Sequence, residues 1–214
     1  NDDIIELGEN ARATIFLERT SDKTYLQKYG FYDAQPYLDS GAQLEIFGQS
    51  SYAVADMHIF QELREAYGTQ NVPDGNILPN IRAVHQTAPF FKETYATFGA
   101  DVLGISGDGT SSQRLIGDVR VTSPWTLWGG NRLTASVSTR YDLYNFSNTK
   151  MIDSELYSGI KSRFLPSGYL EWGLPLFKPA TSWTQILEPR ARITFMRNMD
   201  DDEFALNNDS AGTI

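Results

Sequence analysis

Few residues in this chain could do chemistry. It contains two histidines, His58 and His85, and no cysteine. His58 follows Asp56 by two residues, which in an extended strand puts both side chains on one face, as in part of a catalytic array. Neither histidine has a partner at metal-ligand spacing, and no serine lies in a G-x-S-x-G elbow. We therefore interpret His58 as a satisfied or solvated histidine and expect no catalytic residue, no enzyme activity, no cofactor and no metal site.

Two further segments share only part of the pattern of a ligand-binding loop. Residues 104–109 read GISGDG but lack the lysine and the strand–helix context of a phosphate-binding loop, so we interpret them as a turn. Residues 200–209 read DDDEFALNND and offer the oxygen ligands that Ca²⁺ prefers. Because they lack the spaced aspartates and central glycine of a calcium loop, we interpret them as a solvated loop.

Charge and composition exclude several classes of protein. The 214 residues carry a formal net charge of -9, which argues against nucleic acid as a partner, because phosphate binding needs clustered lysine and arginine. No stretch approaches the ~18 consecutive apolar residues of a membrane helix. Without cysteine there is no disulfide framework. The chain opens with neither methionine nor a signal peptide, and we expect it to be an excerpt of a longer protein.

The elements that must position these side chains are strands, and one run defines their pattern. From residue 132 to residue 144 the even positions are almost all polar and the odd positions mostly apolar. Successive side chains of a strand point to opposite faces, so this run has one polar and one apolar face. Strands in soluble sheets usually run to about five or six residues. Thirteen residues in one register is typical of a strand that crosses a membrane obliquely in a barrel.

Similar runs fill the chain and predict an all-β, antiparallel up-and-down meander of about nine to ten strands, part of a large outer-membrane β-barrel and not closed on itself. Residues 59–67 allow a short helical turn as an alternative. The predicted strands are residues 3–7, 11–19, 41–47, 51–60, 80–87, 92–105, 113–122, 132–146, 163–177 and 183–197.

The links between these strands alternate between short and long, as in barrels with short periplasmic turns and longer extracellular loops. This alternation requires residues 163–177 to form one strand through Pro166 and Gly168, although proline cannot donate to a ladder. Trp125 and Trp128 precede the long strand, and Tyr141, Tyr144 and Phe146 lie near its far end. Aromatic residues at both ends of a strand predict the two girdles of a membrane barrel.

The polar parity of the strands is rich in charge, which predicts either a hydrated lumen or the solvated outer face of a soluble sheet. The candidate lumen-facing side chains are Arg114, Asp118, Arg120, Arg132, Arg140, Asp142, Glu188, Arg190 and Arg192. The candidate lipid-facing side chains are Leu133, Val137, Tyr141, Leu143, Leu187, Ile193 and Phe195.

Short motifs along the chain resemble those of a known family. The most specific is LEPRA at residues 187–191. In order and spacing the motifs resemble the β-barrel of the LPS-assembly protein family LptD over essentially all 214 residues. They are residues 21–22 (SD), 25–26 (YL), 29–30 (YG), 78–81 (LPNI), 113–114 (QR), Pro124, 187–191 and 208–210 (NDS).

This resemblance implies that residues 1–214 are a single partial β-barrel domain, with the family's periplasmic N-terminal domain upstream and its closing strands downstream, outside this chain. It implies a subunit of the lipopolysaccharide transport machinery in the outer membrane of a Gram-negative bacterium, which assembles lipopolysaccharide into the outer leaflet and is not an enzyme. The implied partners are lipopolysaccharide, a plug lipoprotein of the LptE type inside the barrel, and periplasmic bridge proteins that meet the missing N-terminal domain.

From the residues alone, two other classes stay open. One is another outer-membrane barrel, either a porin-like channel or a barrel enzyme with His58 as its base. The other is a soluble β-sandwich that binds glycan. The sandwich predicts a second sheet packed on the face of Leu133, Val137 and Tyr141, whereas a membrane barrel predicts that no protein covers that face.

Overall fold

The computed structural model describes residues 2–21, 28–29, 37–63, 76–107, 109–150, 156–179 and 183–196. These residues form twelve β-strands and one short 3₁₀ turn, Trp128–Gly130. The strands are β1 (Asp2–Glu6), β2 (Ala11–Phe16), β3 (Tyr37–Phe47), β4 (Ser51–Glu62), β5 (Asn76–Gln86), β6 (Tyr95–Gly107), β7 (Thr110–Thr126), β8 (Arg132–Lys150), β9 (Leu156–Gly173), β10 (Leu176–Pro179), β11 (Thr184–Leu187) and β12 (Arg190–Met196).

Ten of the strands form one antiparallel sheet in the order β1-β2-β3-β4-β5-β6-β7-β8-β9-β12. Each strand pairs with its neighbour along the chain, except that β10 and β11 form a separate two-stranded hairpin. β1 and β12 are the two edges, so the sheet is open. The predicted all-β, antiparallel, unclosed meander is confirmed.

The long strand predicted from alternation is present and longer than expected. β8 runs for 19 residues and β9 for 18, and each residue from Arg132 to Phe146 has a partner on β9. β9 continues through Pro166 and Gly168, as the predicted alternation of links requires. The links predicted as long after β6 and β8 are only residues 108–109 and 151–155, so the alternation is wrong at these two links. Among the described residues, β12 pairs with β9 as far as Ser167, and Pro166 pairs with Thr139 of β8.

Residues 183–197 were predicted as one strand, and this is wrong. β11 ends at Leu187, Glu188 and Pro189 are not in a strand, and β12 begins at Arg190. Pro189 has no N–H to donate and ends the ladder. Its carbonyl accepts a hydrogen bond from the Leu174 N–H at 3.1 Å, which closes the base of the β10–β11 hairpin. The link after β9 is therefore residues 174–189 and not the short link predicted at 178–182.

The turn predicted at residues 104–109 is shorter than predicted. Residues 104–107 lie in β6, and Gly109, between β6 and β7, has a φ of +75°. Residues 59–62 belong to β4, so the helical alternative for residues 59–67 is wrong there. Residues 64–67 and 200–209 lie outside the described part of the chain.

Four buried apolar side chains lie together on one face of the large sheet and not between two packed sheets. Leu103, Ile116, Tyr144 and Phe146 are 2–7% exposed, and Tyr144 stacks on Phe146 with ring centroids 5.7 Å apart. The register places all four on the same face of the sheet as Asp142. Tyr144 and Phe146 therefore do not contribute to an outer aromatic girdle with Tyr141, and that part of the prediction is wrong.

Candidate functional site on the charged face of the sheet

The register of the strands assigns each side chain to one of two faces, because residues directly opposite each other share a face. Asp142 on β8 lies opposite Ile116 on β7 and Arg163 on β9. Val137 lies opposite Val121 and Gly168. We call the face of Asp142 and Arg163 the charged face, and the face of Val137 and Tyr141 the apolar face.

Every described charged side chain of β7, β8, β9 and β12 lies on the charged face. Eight are basic and three are acidic, although the whole chain carries a net charge of -9, so this half of the face is cationic. They are Arg114, Asp118, Arg120, Arg132, Arg140, Asp142, Lys161, Arg163, Glu171, Arg190 and Arg192.

Burial on the two faces is the reverse of that in a soluble sheet, which packs its apolar side on the core. On the charged face, Asp142 is 0% and Ser136 is 3% exposed. On the apolar face, Val137 is 70% and Phe164 is 50% exposed. The described chain thus buries polar side chains of its charged face and leaves many large side chains of its apolar face exposed.

Asp142 is the centre of the charged face. Arg140 Nε donates to Asp142 Oδ1 at 2.6 Å, and Arg163 Nε donates to Oδ2. Tyr144 Oη donates to Oδ2 at 3.4 Å, and the Arg163 guanidinium lies 5.5 Å from the centroid of the Tyr144 ring. Both carboxylate oxygens have charged donors, which is the condition under which a carboxylate can be fully buried.

Asp101 on β6 makes a second pair of contacts with two arginines. Arg82 Nε donates to Asp101 Oδ2 at 3.0 Å from β5, and an Arg114 Nη donates to Oδ1 at 3.2 Å from β7. The carboxylate therefore links three successive strands. With the Asp142 contacts it gives the charged face two arginine–aspartate–arginine groups.

The other ion pairs of this face lie nearer its edges. Arg192 Nε donates to Glu171 at 2.7 Å across β12 and β9, and Arg12 on β2 pairs with Glu45 on β3. Glu188, in the link before β12, lies 2.8 Å from the Arg190 guanidinium, which holds the pKa of the Glu188 carboxyl below its usual range.

Arg120 differs from these arginines. It is exposed, and no hydrogen bond or ion pair of its guanidinium occurs within the described ranges. Asp118, two residues earlier on the same face, extends over β6, where its Oδ1 lies 2.1 Å from the position that a Cβ would take at Gly99. The nearest carboxylate along the strand is thus directed towards the neighbouring strand β6.

The structure brings together most of the candidate residues predicted from the sequence. Eight of the nine charged candidates lie on the charged face in β7, β8 or β12, and Glu188 lies in the link before β12. Leu133, Val137, Tyr141, Leu143, Ile193 and Phe195 lie on the apolar face, whereas Leu187 belongs to the separate hairpin. Leu187 and Glu188 were assigned on the assumption of one continuous strand, which Pro189 interrupts.

Sequence reasoning missed Asp101, Arg163 and Glu171, which form ion pairs with the candidates Arg114, Asp142 and Arg192. It also missed Arg82, which binds Asp101, and Lys161, which lies on the same face. Asp101 and Arg82 belong to predicted strands whose mutual register the sequence does not reveal. Lys161 lies in the first half of β9, before the strand that was predicted to begin at residue 163. Alternation from Tyr157 through Arg163 was the signal that could have extended the strand.

The two histidines lie on opposite faces of the sheet, His58 of β4 on the charged face and His85 of β5 on the apolar face. His58 Nδ1 is 2.9 Å from Asp39 Oδ2, and His58 Nε2 is 3.4 Å from Asp56 Oδ2, so its ring lies between two carboxylates. His85 Nδ1 is 2.7 Å from Ser51 Oγ in an exposed position. Among the described residues, no group of three or more histidine, aspartate or glutamate side chains converges closely enough to hold a metal ion.

Three of the four tryptophans lie at the end of the sheet where β7 turns into β8 and β9 leaves the sheet, and Trp183 directly precedes β11 of the separate hairpin. Trp125 and Trp172 flank Leu133 on the apolar face. Trp128 is 88% and Trp183 is 54% exposed in the adjoining links. The exposed Phe90 and Phe91, in the link between β5 and β6, continue this row of aromatic rings.

Comparison with known proteins gives the family. No helix among the described residues is long and apolar enough to span a membrane. No curated protein matches the chain. A family model described as LptD, LPS transport system D, matches residues 6–212, nearly the whole sequence, and this chain therefore belongs to the LptD family.

Proposed function

We propose that this chain is part of the wall of an outer-membrane β-barrel that assembles lipopolysaccharide into the outer leaflet of a Gram-negative bacterium. In this proposal the charged face lines the lumen and the apolar face contacts lipid. The observation that carries it is the reversed burial of the two faces, with Asp142 at 0% and Val137 at 70% exposure. Lipid can cover an apolar face at no cost, whereas water would have to be ordered around it.

The length of the strands supports the same orientation. From Leu133 to Tyr141 a strand rises roughly 27 Å at ~3.3 Å per residue. At a tilt of about 40° this covers about 20 Å of depth, close to the apolar band of membrane barrels. Trp125, Trp128 and Trp172 lie at one end of the sheet, where a girdle at the membrane interface is expected. Three links at that end, residues 7–10, 48–50 and 127–131, are short, and the link 174–189 is long. We assign that end to the periplasmic side.

The role of the chain in this proposal is to provide a surface and not to catalyse a reaction. A saccharide that carries phosphates needs a wet path with hydrogen-bond donors and positive charge, and guanidinium groups suit phosphate. The excess of basic side chains on the charged face supplies both. The same face is the surface that we propose for the plug lipoprotein, while the bridge proteins would act through a periplasmic domain outside this chain.

The open edges of the sheet support the proposal that residues 1–214 are one section of a larger barrel. β1 and β12 each pair with a neighbour on one side only. An unpaired strand edge is a site of aggregation, and a closed barrel removes it by pairing with further strands.

The soluble β-sandwich fits the described residues less well. It requires a second sheet over Val137, Tyr141 and Ile193, yet these are 70%, 48% and 62% exposed. A barrel enzyme with His58 as its base would need a nucleophile beside it. In the described part of the chain, the polar groups at both ring nitrogens of His58 are carboxylates.

A photocrosslinking amino acid tests the proposal in the membrane-assembled protein. We expect the positions of Ser138 and Thr194, which lie on the charged face and are not fully buried, to capture lipopolysaccharide or the plug lipoprotein, and those of Val137 and Tyr141 to capture membrane lipid. Capture of lipopolysaccharide at all four positions, or at none, would contradict the assignment of the two faces.

A further inference from the structure

Two neighbouring rows of the charged face consist mainly of hydroxyl groups. One row crosses β6 to β9 through Thr97, Arg120, Ser138 and Ser167. The next row crosses the same strands through Tyr95, Thr122, Ser136 and Tyr169. We call the seven neutral side chains of these rows the hydroxyl bed. Arg120 is the one charged side chain within the two rows.

The hydroxyl groups of the bed are held in place by their neighbours. Thr122 Oγ1 lies 3.2 Å from Ser136 Oγ, and these two residues are 5% and 3% exposed. Ser138 Oγ lies 2.7 Å from Ser167 Oγ. Because Thr122 and Ser136 are buried, the pair open to a ligand is Ser138 and Ser167, which are partly exposed and keep capacity for a further partner, since a hydroxyl group both donates and accepts. Such groups match the hydroxyls of a sugar, which have the same dual character.

Arg120 is placed to receive an anion. The arginines of the neighbouring rows are engaged, with Arg114 on Asp101 and Arg140 on Asp142. Arg120 has no carboxylate partner within the described ranges, and Asp118 is directed over Gly99. A guanidinium presents five donors in a planar fork that suits the oxygens of phosphate.

We propose that the hydroxyl bed and Arg120 form a binding site for a phosphorylated sugar, with the phosphate on Arg120 and the sugar hydroxyls on the bed. This inference rests on the proposed function, because the phosphorylated headgroup of a glycolipid is the sugar phosphate that would pass this face. The ion-paired arginines hold the sheet together, whereas Arg120 contacts the cargo.

The test uses the membrane-assembled full-length protein with a photocrosslinking amino acid at Gln86, which is exposed and lies opposite Thr97. Capture is measured with lipopolysaccharide and with its phosphatase-treated form, in the backgrounds Arg120, Arg120→Ala, Arg120→Lys and Arg12→Ala. Arg12 is the matched control, since it lies on the same face on β2 and its guanidinium is bound to Glu45. A heat-modifiable band on a gel verifies that every variant is folded.

We expect Arg120→Ala to lower capture of phosphorylated lipopolysaccharide by roughly tenfold, the effect of one lost charge-assisted hydrogen bond. Capture of the phosphatase-treated form should be the same in all backgrounds, Arg120→Lys should retain most capture, and Arg12→Ala should change little. If Arg120→Ala lowers capture of both forms equally, or of neither, the inference is wrong.

A competition arm separates a sugar phosphate from free phosphate. Inorganic phosphate should compete with lipopolysaccharide only weakly, because it cannot use the hydroxyl bed, and full competition would overturn the role of the bed. Capture at Gln86 that does not depend on Arg120 would defeat this inference and leave the proposed function intact. Absence of lipopolysaccharide capture at Gln86, Ser138 and Thr194 alike would defeat both.

Discussion

Arg163 on β9 lies directly opposite Asp142 on β8, and its Nε donates to the fully buried carboxylate. A slip of one residue between these strands would move Arg163 to the apolar face and leave Asp142 with one arginine fewer. The ion pair therefore fixes the register at the centre of the sheet, in addition to placing charge on one side of it.

Asp142→Asn should destabilise the protein strongly, because the substitution leaves the guanidinium groups of Arg140 and Arg163 without their carboxylate. The loss should be about 3–5 kcal/mol, the usual result of removing one partner of a buried ion pair. Urea unfolding of the membrane-assembled protein measures it. Asp118→Asn is the control, since Asp118 has no ion pair within the described ranges, and its cost should stay within ~0.5 kcal/mol. Equal losses would show that Asp142 does not organise the face.

Val137→Arg should impair membrane assembly far more than Ser138→Arg. The two residues are adjacent, but Val137 is on the apolar face and Ser138 on the charged face. Arginine at the midplane of the lipid-facing side costs about 2–4 kcal/mol, whereas on the lumen side it remains hydrated. The fraction of folded protein in the outer membrane measures the difference. The orientation proposed for the sheet is refuted by equal assembly of the two variants.

Gly104→Ala should destabilise the sheet, and Gly117→Ala should not. A Cβ at Gly104 would lie 2.3 Å from the backbone carbonyl oxygen of Leu78, whereas nothing lies within 4 Å of a Cβ at Gly117. Because a backbone atom cannot move aside as a flexible side chain can, we expect an overpacking cost of about 1–3 kcal/mol at Gly104. The midpoint of urea unfolding checks this. Unchanged midpoints for both variants would mean that the register shift beside Leu78 relaxes freely.

Trp128 and Trp183 should lie at the level of the lipid headgroups. Both are exposed, Trp128 between β7 and β8 and Trp183 in the link after β9, and tryptophan is enriched at the interfaces of membrane barrels. The fluorescence difference between the protein and its Trp128→Phe or Trp183→Phe variant isolates each ring. We expect lipids brominated near the headgroup to quench that difference more than lipids brominated near the chain ends. Stronger quenching from the chain ends would place that ring inside the hydrocarbon.

The alternation from Arg132 to Tyr144 was sufficient to predict β8 and its two faces, since parity within one strand depends on no other part of the chain. The parity of Tyr144 and Phe146 was readable in the same way, and it places both on the charged face and not in an outer girdle. Fold class and the division of charge between faces thus follow from local pattern.

The pairing of arginines with carboxylates could not be predicted in this way. That Asp101 contacts both Arg82 and Arg114 depends on the register of β5, β6 and β7, which is set by the packing of all three strands. The hairpin before β12 was missed because residues 183–197 were interpreted as one strand. Pro189 ends the first ladder, and a separate strand, β12, begins at Arg190. Which arginine stays without a partner is likewise a property of the assembled sheet.

The order of the strands in the sheet has a consequence for how the chain folds. Since nearly every strand pairs with the one before it, most steps of assembly join strands that are close along the chain, and the links 17–36 and 63–75 are the longer ones. The exception is β12, which pairs with β9 across the intervening β10–β11 hairpin. We therefore expect the sheet to grow hairpin by hairpin from β1 to β9, and β12 to join it after the β10–β11 hairpin has formed.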